Sequence, residues 1–242
     1  MICQVCRHEK KLIKAHIIPE GFFRPLRSKR KAPELYTNTK GIYTKRVPKG
    51  IYDREILCAD CDGIFSPWEN HAHKVLIQNF SEELAIFWNG QKIAYNITDF
   101  DYKLFKLFFI SLLWRASISK NIFYRRISAG PFEQILKDMI LSFDPGPPQK
   151  FAVTLAKFSD PNITVMMDPH PEKFNDINYC RFYLTGFMAY IKVDDRPVPD
   201  LMSDFYLRPD RPLSVILRDF HRSKDGALMK DIFRKSLPRI DK

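Results

Sequence analysis

The sequence predicts an α+β fold, and three observations carry that expectation. Two C-x2-C pairs, Cys3 with Cys6 and Cys58 with Cys61, mark a metal-knuckled N-terminal module. An apolar block from Asp101 to Ser119 marks a buried helix at the heart of a helical segment. Aromatic and β-branched runs beyond Asp144-Pro145-Gly146-Pro147-Pro148, the strongest breaker in the chain, mark an antiparallel-sheet C-terminal region. The 242 residues, 45% hydrophobic and 14% aromatic, suffice to bury a core and are too apolar for intrinsic disorder.

Composition excludes several function classes. The longest apolar stretch, Leu104 to Trp114, is broken by Lys106 and Ser111, and it is about half of the roughly 20 residues that cross a bilayer. Met1-Ile2-Cys3 runs straight into a charged segment, with none of the pattern of a secretory leader, so a cytoplasmic protein is expected. Neither G-x-G-x-x-G nor G-x-x-x-x-G-K-[ST] occurs, which leaves dinucleotide and P-loop sites without support.

Taken in order, the N-terminal module is expected over residues 1–80. Two thiolates on one tight turn reach one ion, and two such turns complete a tetrahedral site; four of the five cysteines are used this way. That pattern points to a structural Zn²⁺ held by Cys3, Cys6, Cys58 and Cys61, because disulfides are rare in cytosolic proteins. Cys180, in an apolar run, reads as an inert core thiol. Between the knuckles lies most of the net charge of +11: the first fifty residues carry thirteen basic and three acidic side chains. Arg24, Arg27, Lys29, Arg30 and Lys31 form a block that would attract a polyanion, or else serve as a solvated loop. Residues 81–242 are expected to form an α+β domain. It would be helical over 81–143, with a second helix from Pro131 to Phe143. It would be strand-rich over 150–195, in runs Phe151 to Phe158, Asn162 to Met167 and Asn178 to Val193, and would close with a helix over 223–236. Trp114-Arg115 and Arg125-Arg126 could contact phosphates, but a core Trp114 beside surface arginines is the favoured reading.

Around the knuckles stand Ala15-His16-Ile17-Ile18-Pro19, Tyr52-Asp53 and Leu57-Cys58-Ala59-Asp60-Cys61-Asp62. Their order resembles the HNH endonucleases, ββα-metal nucleases built on a zinc-knuckled treble clef. The resemblance covers roughly residues 1–80. It implies hydrolysis of phosphodiester bonds, with DNA as the expected partner, and the family is frequent in phage-defence and mobile-element settings. His16 falls on the family's general base, Asp53 on the asparagine that orients it, and Asp62 on the final histidine, a ligand of a catalytic Mg²⁺ or Mn²⁺. Ala15 stands where the family has a metal-binding aspartate. Glu69, two helical turns beyond Asp62, could share its face and the ion, and His73 follows Glu69 by four. Bland alternatives stay open at each position: His16 as a buried, satisfied histidine, Asp62 as a helix cap, and Glu69, His71 and His73 as a solvated helix face. A non-catalytic zinc-dependent nucleic-acid-binding module and a protein adaptor are the rival functions. Residues 81–242 could recognise sequence, self-associate or bind a partner protein.

Overall fold

The computed structural model describes residues 1–27, 34–35, 45–47, 49–163 and 166–236. The first knuckle rides on a tight turn. Ile2 bridges Glu9, Cys3 N–H donates to the His8 carbonyl at 3.0 Å, and Arg7 adopts a left-handed φ of 60° to close it. The chain then enters β1 (Ala15–His16) and, after a 3₁₀ segment Glu20–Leu26, the short pair β2 (Glu34–Leu35) and β3 (Lys45–Arg46). It returns as β4 (Tyr52–Asp53), which runs antiparallel to β1 with Ala15 opposite Asp53 and His16 opposite Tyr52. The second knuckle opens α1 (Ala59–Gly63). Next comes α2 (Ser66–His73), whose Pro67 sits in the first turn where a missing N–H costs little, and which continues into a single π turn, Lys74–Gln78.

The expected buried helix is α3 (Tyr102–Ile118). The Asp101 carboxylate caps it by accepting from Leu104 N–H at 2.9 Å, and the helix is buried from Phe105 through Ala116. The second helix, α4 (Glu133–Ser142), ends on Phe143 in the left-handed region, and the Asp144–Pro148 breaker lies where expected. Other expectations are corrected. The segment 81–143 is not wholly helical, because it contains the hairpin β5 (Ala85–Trp88) and β6 (Gln91–Ile97), turned by Asn89-Gly90 with both residues at positive φ. After β7 (Val153–Phe158) and β8 (His170–Phe174), the run from Asn178 to Val193 is two strands, β9 (Ile177–Leu184) and β10 (Phe187–Lys192). They are folded at Thr185-Gly186, again with positive φ at both positions. No strand covers the described residues of 162–167; β8 forms later instead. β11 (Leu213–Arg218) precedes the closing helix α5 (Lys224–Ser236), which is where the sequence placed it.

These strands form one seven-stranded sheet in the order β5-β6-β11-β7-β10-β9-β8. It is antiparallel except for the parallel pair β11 and β7. Both faces are covered, so β10 is buried at every residue and shows no alternation in sequence. Leu155, Phe182, Ala189 and Val215 pack toward α3 and the knuckled module in one continuous hydrophobic cluster. Ala156, Tyr183, Met188 and Tyr190 belong to a second cluster with Phe220 and Met229 of the C-terminal segment. The first cluster includes Cys3, Ile17 and Trp68 as well as sheet residues, so residues 1–80 and 81–242 share a core. Among the described residues no helix is long and apolar enough to cross a membrane.

Asp53 fastens β4 to the end of α3. Its carboxylate accepts from Ser119 Oγ at 2.7 Å, from Lys120 N–H at 3.0 Å and from Glu55 N–H at 2.8 Å. Asp53→Asn replaces one acceptor oxygen by a donor that faces other donors. It should cost about 1.5–3 kcal/mol, read as a lower urea midpoint. An unchanged midpoint would show that these bonds are not what the carboxylate is for.

Candidate functional site

The four knuckle sulfurs lie within 4.8 Å of one another. Four sulfurs at about 2.3 Å around one tetrahedral Zn²⁺ stand roughly 3.8 Å apart, so the four cysteines are close enough together to hold such an ion. Backbone amides also aim at the cluster, with Cys58 N–H donating to Cys3 Sγ at 3.4 Å. Burial alone would raise the Cys3 thiol, but the N–H groups of Cys58, Cys6 and Val5 outweigh it and bring its pKa down to about 6. Burial and neighbouring sulfurs push Cys61 up. At Cys3 the thiolate, the form a metal needs, is therefore favoured. Cys180 stands apart, buried in the sheet with its pKa pushed up to about 12 by desolvation. Among the described residues, this is the only group of three or more potential ligands close enough to share an ion.

β1 and β4 hold His16 beside the knuckles. Side chains alternate across a strand, so Ala15 and Asp53 face inward, both buried, while His16 and Tyr52 share the opposite face with rings 5.9 Å apart. Asp53 therefore does not orient His16, because their side chains leave the pair on opposite faces. The ring is oriented by the backbone: His16 Nε2 lies 2.8 Å from the Lys49 carbonyl oxygen. A carbonyl only accepts, so Nε2 carries the hydrogen and Nδ1 keeps its lone pair. The turn that presents Lys49 needs Gly50, at φ 84°, since a Cβ there would stand 2.6 Å from the Phe23 ring.

Asp62, on α1, faces the same region. Burial raises its pKa; the charges of Arg115 and His16 oppose that rise and Glu69 adds to it. The carboxylate is half-buried and accepts no hydrogen bond among the described residues. Glu69 is not on a solvated face. Its Oε1 lies 2.6 Å from Arg115 Nη1 in an ion pair whose arginine is fully buried. Arg115 thus corrects the expectation of a surface arginine beside Trp114. From α3 its guanidinium also donates to the His16 carbonyl at 2.7 Å and to the Ser111 carbonyl at 3.3 Å, and it lies 4.5 Å from the Phe65 ring centroid. His71 Nε2 accepts from Asp101 N–H at 3.0 Å, and burial holds its pKa below the ordinary histidine value. His73 packs against Gly21 and edge-on to Phe22, also with a lowered pKa caused by burial. Neither histidine points to a shared ion.

The basic block is described only in part. Arg24 is exposed, and Arg27 pairs with Glu20 at 2.7 Å. Lys29, Arg30 and Lys31 lie outside the described residues. Sequence reasoning missed Arg115 and the Lys49 carbonyl. The first has no local signature, since a single arginine in an apolar helix reads equally as a snorkelling edge residue. The second is a backbone atom, which no residue identity encodes.

Two outcomes follow from this geometry. Purified protein should carry one zinc per chain by elemental analysis; Cys3→Ser or Cys58→Ser should lose it and unfold the N-terminal region, while Cys180→Ser should keep it. Arg115→Ala should cost about 3–5 kcal/mol by denaturant melting, because it strands Glu69 and opens a gap beneath β1. A loss below about 1 kcal/mol would mean that the guanidinium does not tie these elements together. Comparison with protein-family models, with curated proteins and with solved structures finds no match to this chain.

Proposed function

We propose that the protein is a metal-dependent, HNH-like endonuclease that hydrolyses phosphodiester bonds in DNA. Its N-terminal module would be a ββα-metal treble clef closed by a structural Zn²⁺. One observation carries the reading. A histidine held through Nε2 and a half-buried carboxylate, with no hydrogen bond at Nδ1 or at the carboxylate among the described residues, sit on the strand and the helix that flank a four-cysteine knuckle. The resemblance of residues 1–80 puts the base and a metal ligand at these same two positions.

Asp62 fits a Mg²⁺ or Mn²⁺ ligand, since desolvation of its carboxylate is relieved by a cation and hard cations prefer oxygen. Glu69 could add an oxygen while its partner oxygen stays on Arg115. Two carboxylates are few, but Mg²⁺ usually keeps several waters and takes its remaining ligands from substrate phosphate. Such an ion, held by Asp62 and Glu69, would supply charge stabilisation to the phosphoryl oxygens and the leaving 3′ oxygen. His16 Nδ1 takes a proton from water as that water attacks phosphorus in line. The Lys49 carbonyl holds the imidazole at Nε2, so the base nitrogen keeps its aim, and it also stabilises the imidazolium that forms. Arg115 acts from beneath: it fixes the His16 backbone and Glu69 in one rigid unit. The basic block from Arg24 to Lys31 would add non-specific attraction to the phosphate backbone.

The second reading, a zinc-dependent nucleic-acid-binding module, is favoured by Ala15 and by the lack of a second three-ligand group among the described residues. Incubation of the full chain with plasmid DNA and Mg²⁺ or Mn²⁺ separates the two. Cleavage is expected, and His16→Ala should lower its rate by about 10²–10⁴-fold with zinc content and folding intact. Asp62→Ala should lower it as well, with partial recovery at high Mn²⁺. Equal cutting by wild type and His16→Ala would overturn the mechanism, and binding without cutting under every divalent metal would select the binding module.

A further inference from the structure

Alternation along β1 and β4 sets His16 and Tyr52 on one face. Lys14, just before β1, and Arg54, just after β4, reach the ring of Tyr52 on that same face. Lys14 Nζ lies 5.4 Å from the Tyr52 ring centroid, the Arg54 guanidinium carbon lies 5.5 Å from it, and the His16 ring lies 5.9 Å away. Arg54 also reaches the Tyr52 hydroxyl at 3.4 Å.

Two like charges held against one ring repel each other, and across a strand pair that arrangement is destabilising. Carboxylates nearby do not compensate. Asp53 faces the other side of the strands, Glu55 pairs with Lys120 at 3.2 Å, and Glu20 pairs with Arg27 at 2.7 Å. Among the described residues neither Lys14 nor Arg54 makes an ion pair, and both side chains are exposed. Two exposed cations without a carboxylate partner, beside a candidate base, are a place for a bound anion.

We propose that Lys14, Tyr52 and Arg54 form a backbone-docking patch for duplex DNA, seated beside His16 and separate from the Arg24–Lys31 block. This inference rests on the nuclease reading of the same site and names where that substrate lies. Arg54 offers a planar fork to phosphodiester oxygens, Lys14 offers a point charge, and the Tyr52 ring holds both cations at the height of the imidazole. A strand carried by these cations passes over His16, so docking and chemistry share one face.

The test is the salt dependence of binding of a fluorescent 20-bp DNA duplex to the full chain, without added Mg²⁺ or Mn²⁺. Lys14→Ala and Arg54→Ala should each flatten the plot of log affinity against log salt by about one unit, and the double variant by about two. Between 50 and 200 mM salt the wild type should therefore lose roughly tenfold more affinity than the double variant. Arg54→Lys should restore the slope, and the thermal midpoints of the Ala variants should not fall. An unchanged slope in the double variant, with wild-type cleavage intact, overturns the patch and leaves the nuclease reading standing. Binding that depends on Lys14 and Arg54, without cleavage under either metal, upholds the patch and overturns the nuclease reading. Failure of the wild type to bind the duplex, or its displacement by poly-glutamate at equal charge, overturns the patch.

Discussion

A buried guanidinium sets the terms for the site. Arg115 projects from α3 and is fully buried, and an unpaired charge there would cost several kcal/mol. Everything around it is arranged to meet that cost: a carboxylate from α2, two carbonyls, one of them on β1, and an aromatic face. The same contacts tie β1 to α2 and α3, which already pack against each other. β1 is two residues long, and a two-residue strand pair has no independent stability in water. Fixed from below by Arg115 and from the side by Asp53, it can still present His16 at a constant angle.

The knuckle supplies the second anchor. Cys58 and Cys61 open α1, and Cys3 and Cys6 lie on a turn that also bonds to the chain leading into α1, through Gln4 N–H to the Ile56 carbonyl at 2.8 Å. α4 contributes too, with Lys137 Nζ donating to the Gln4 carbonyl at 2.7 Å. The module is therefore held at both ends by residues from beyond position 80. Its short elements are stable because a larger body backs them, which is why the hydrophobic cluster runs without a break from Cys3 to Val215.

The far face of the sheet follows the same rule for buried charge. Arg181 on β9 is almost fully buried, and it pairs with Asp225 of α5 at 3.0 Å and with Glu172 of β8. Tyr183 donates to the other Asp225 oxygen at 2.7 Å. His170 Nε2 lies 3.1 Å from the guanidinium, and burial holds that histidine's pKa below its usual value, so it stays neutral as an acceptor. The closing helix thus docks by a buried polar network as well as by apolar contacts such as Met229.

The sequence by itself determined the parts whose physics is local. Cysteine spacing fixed the four-sulfur cluster, because each knuckle is a turn of four residues. Apolar density fixed α3, and the Gly130-Pro131 entry and the breaker at 144–148 bounded α4, because caps and prolines act within a few residues. The amphipathic stripe fixed α5. Strands were less legible. β8 and β11 are short, and β9 and β10 merged into one run because both faces of the sheet are covered and the alternation that separates strands is erased. Only the tertiary structure decided which way the site residues face. The register of β1 against β4 turned Asp53 inward and away from His16, and gave the orienting role to a backbone carbonyl. Helix packing took Arg115 from an expected surface to the base of the site. Those outcomes depend on contacts between residues up to about a hundred positions apart, which spacing along the chain cannot encode.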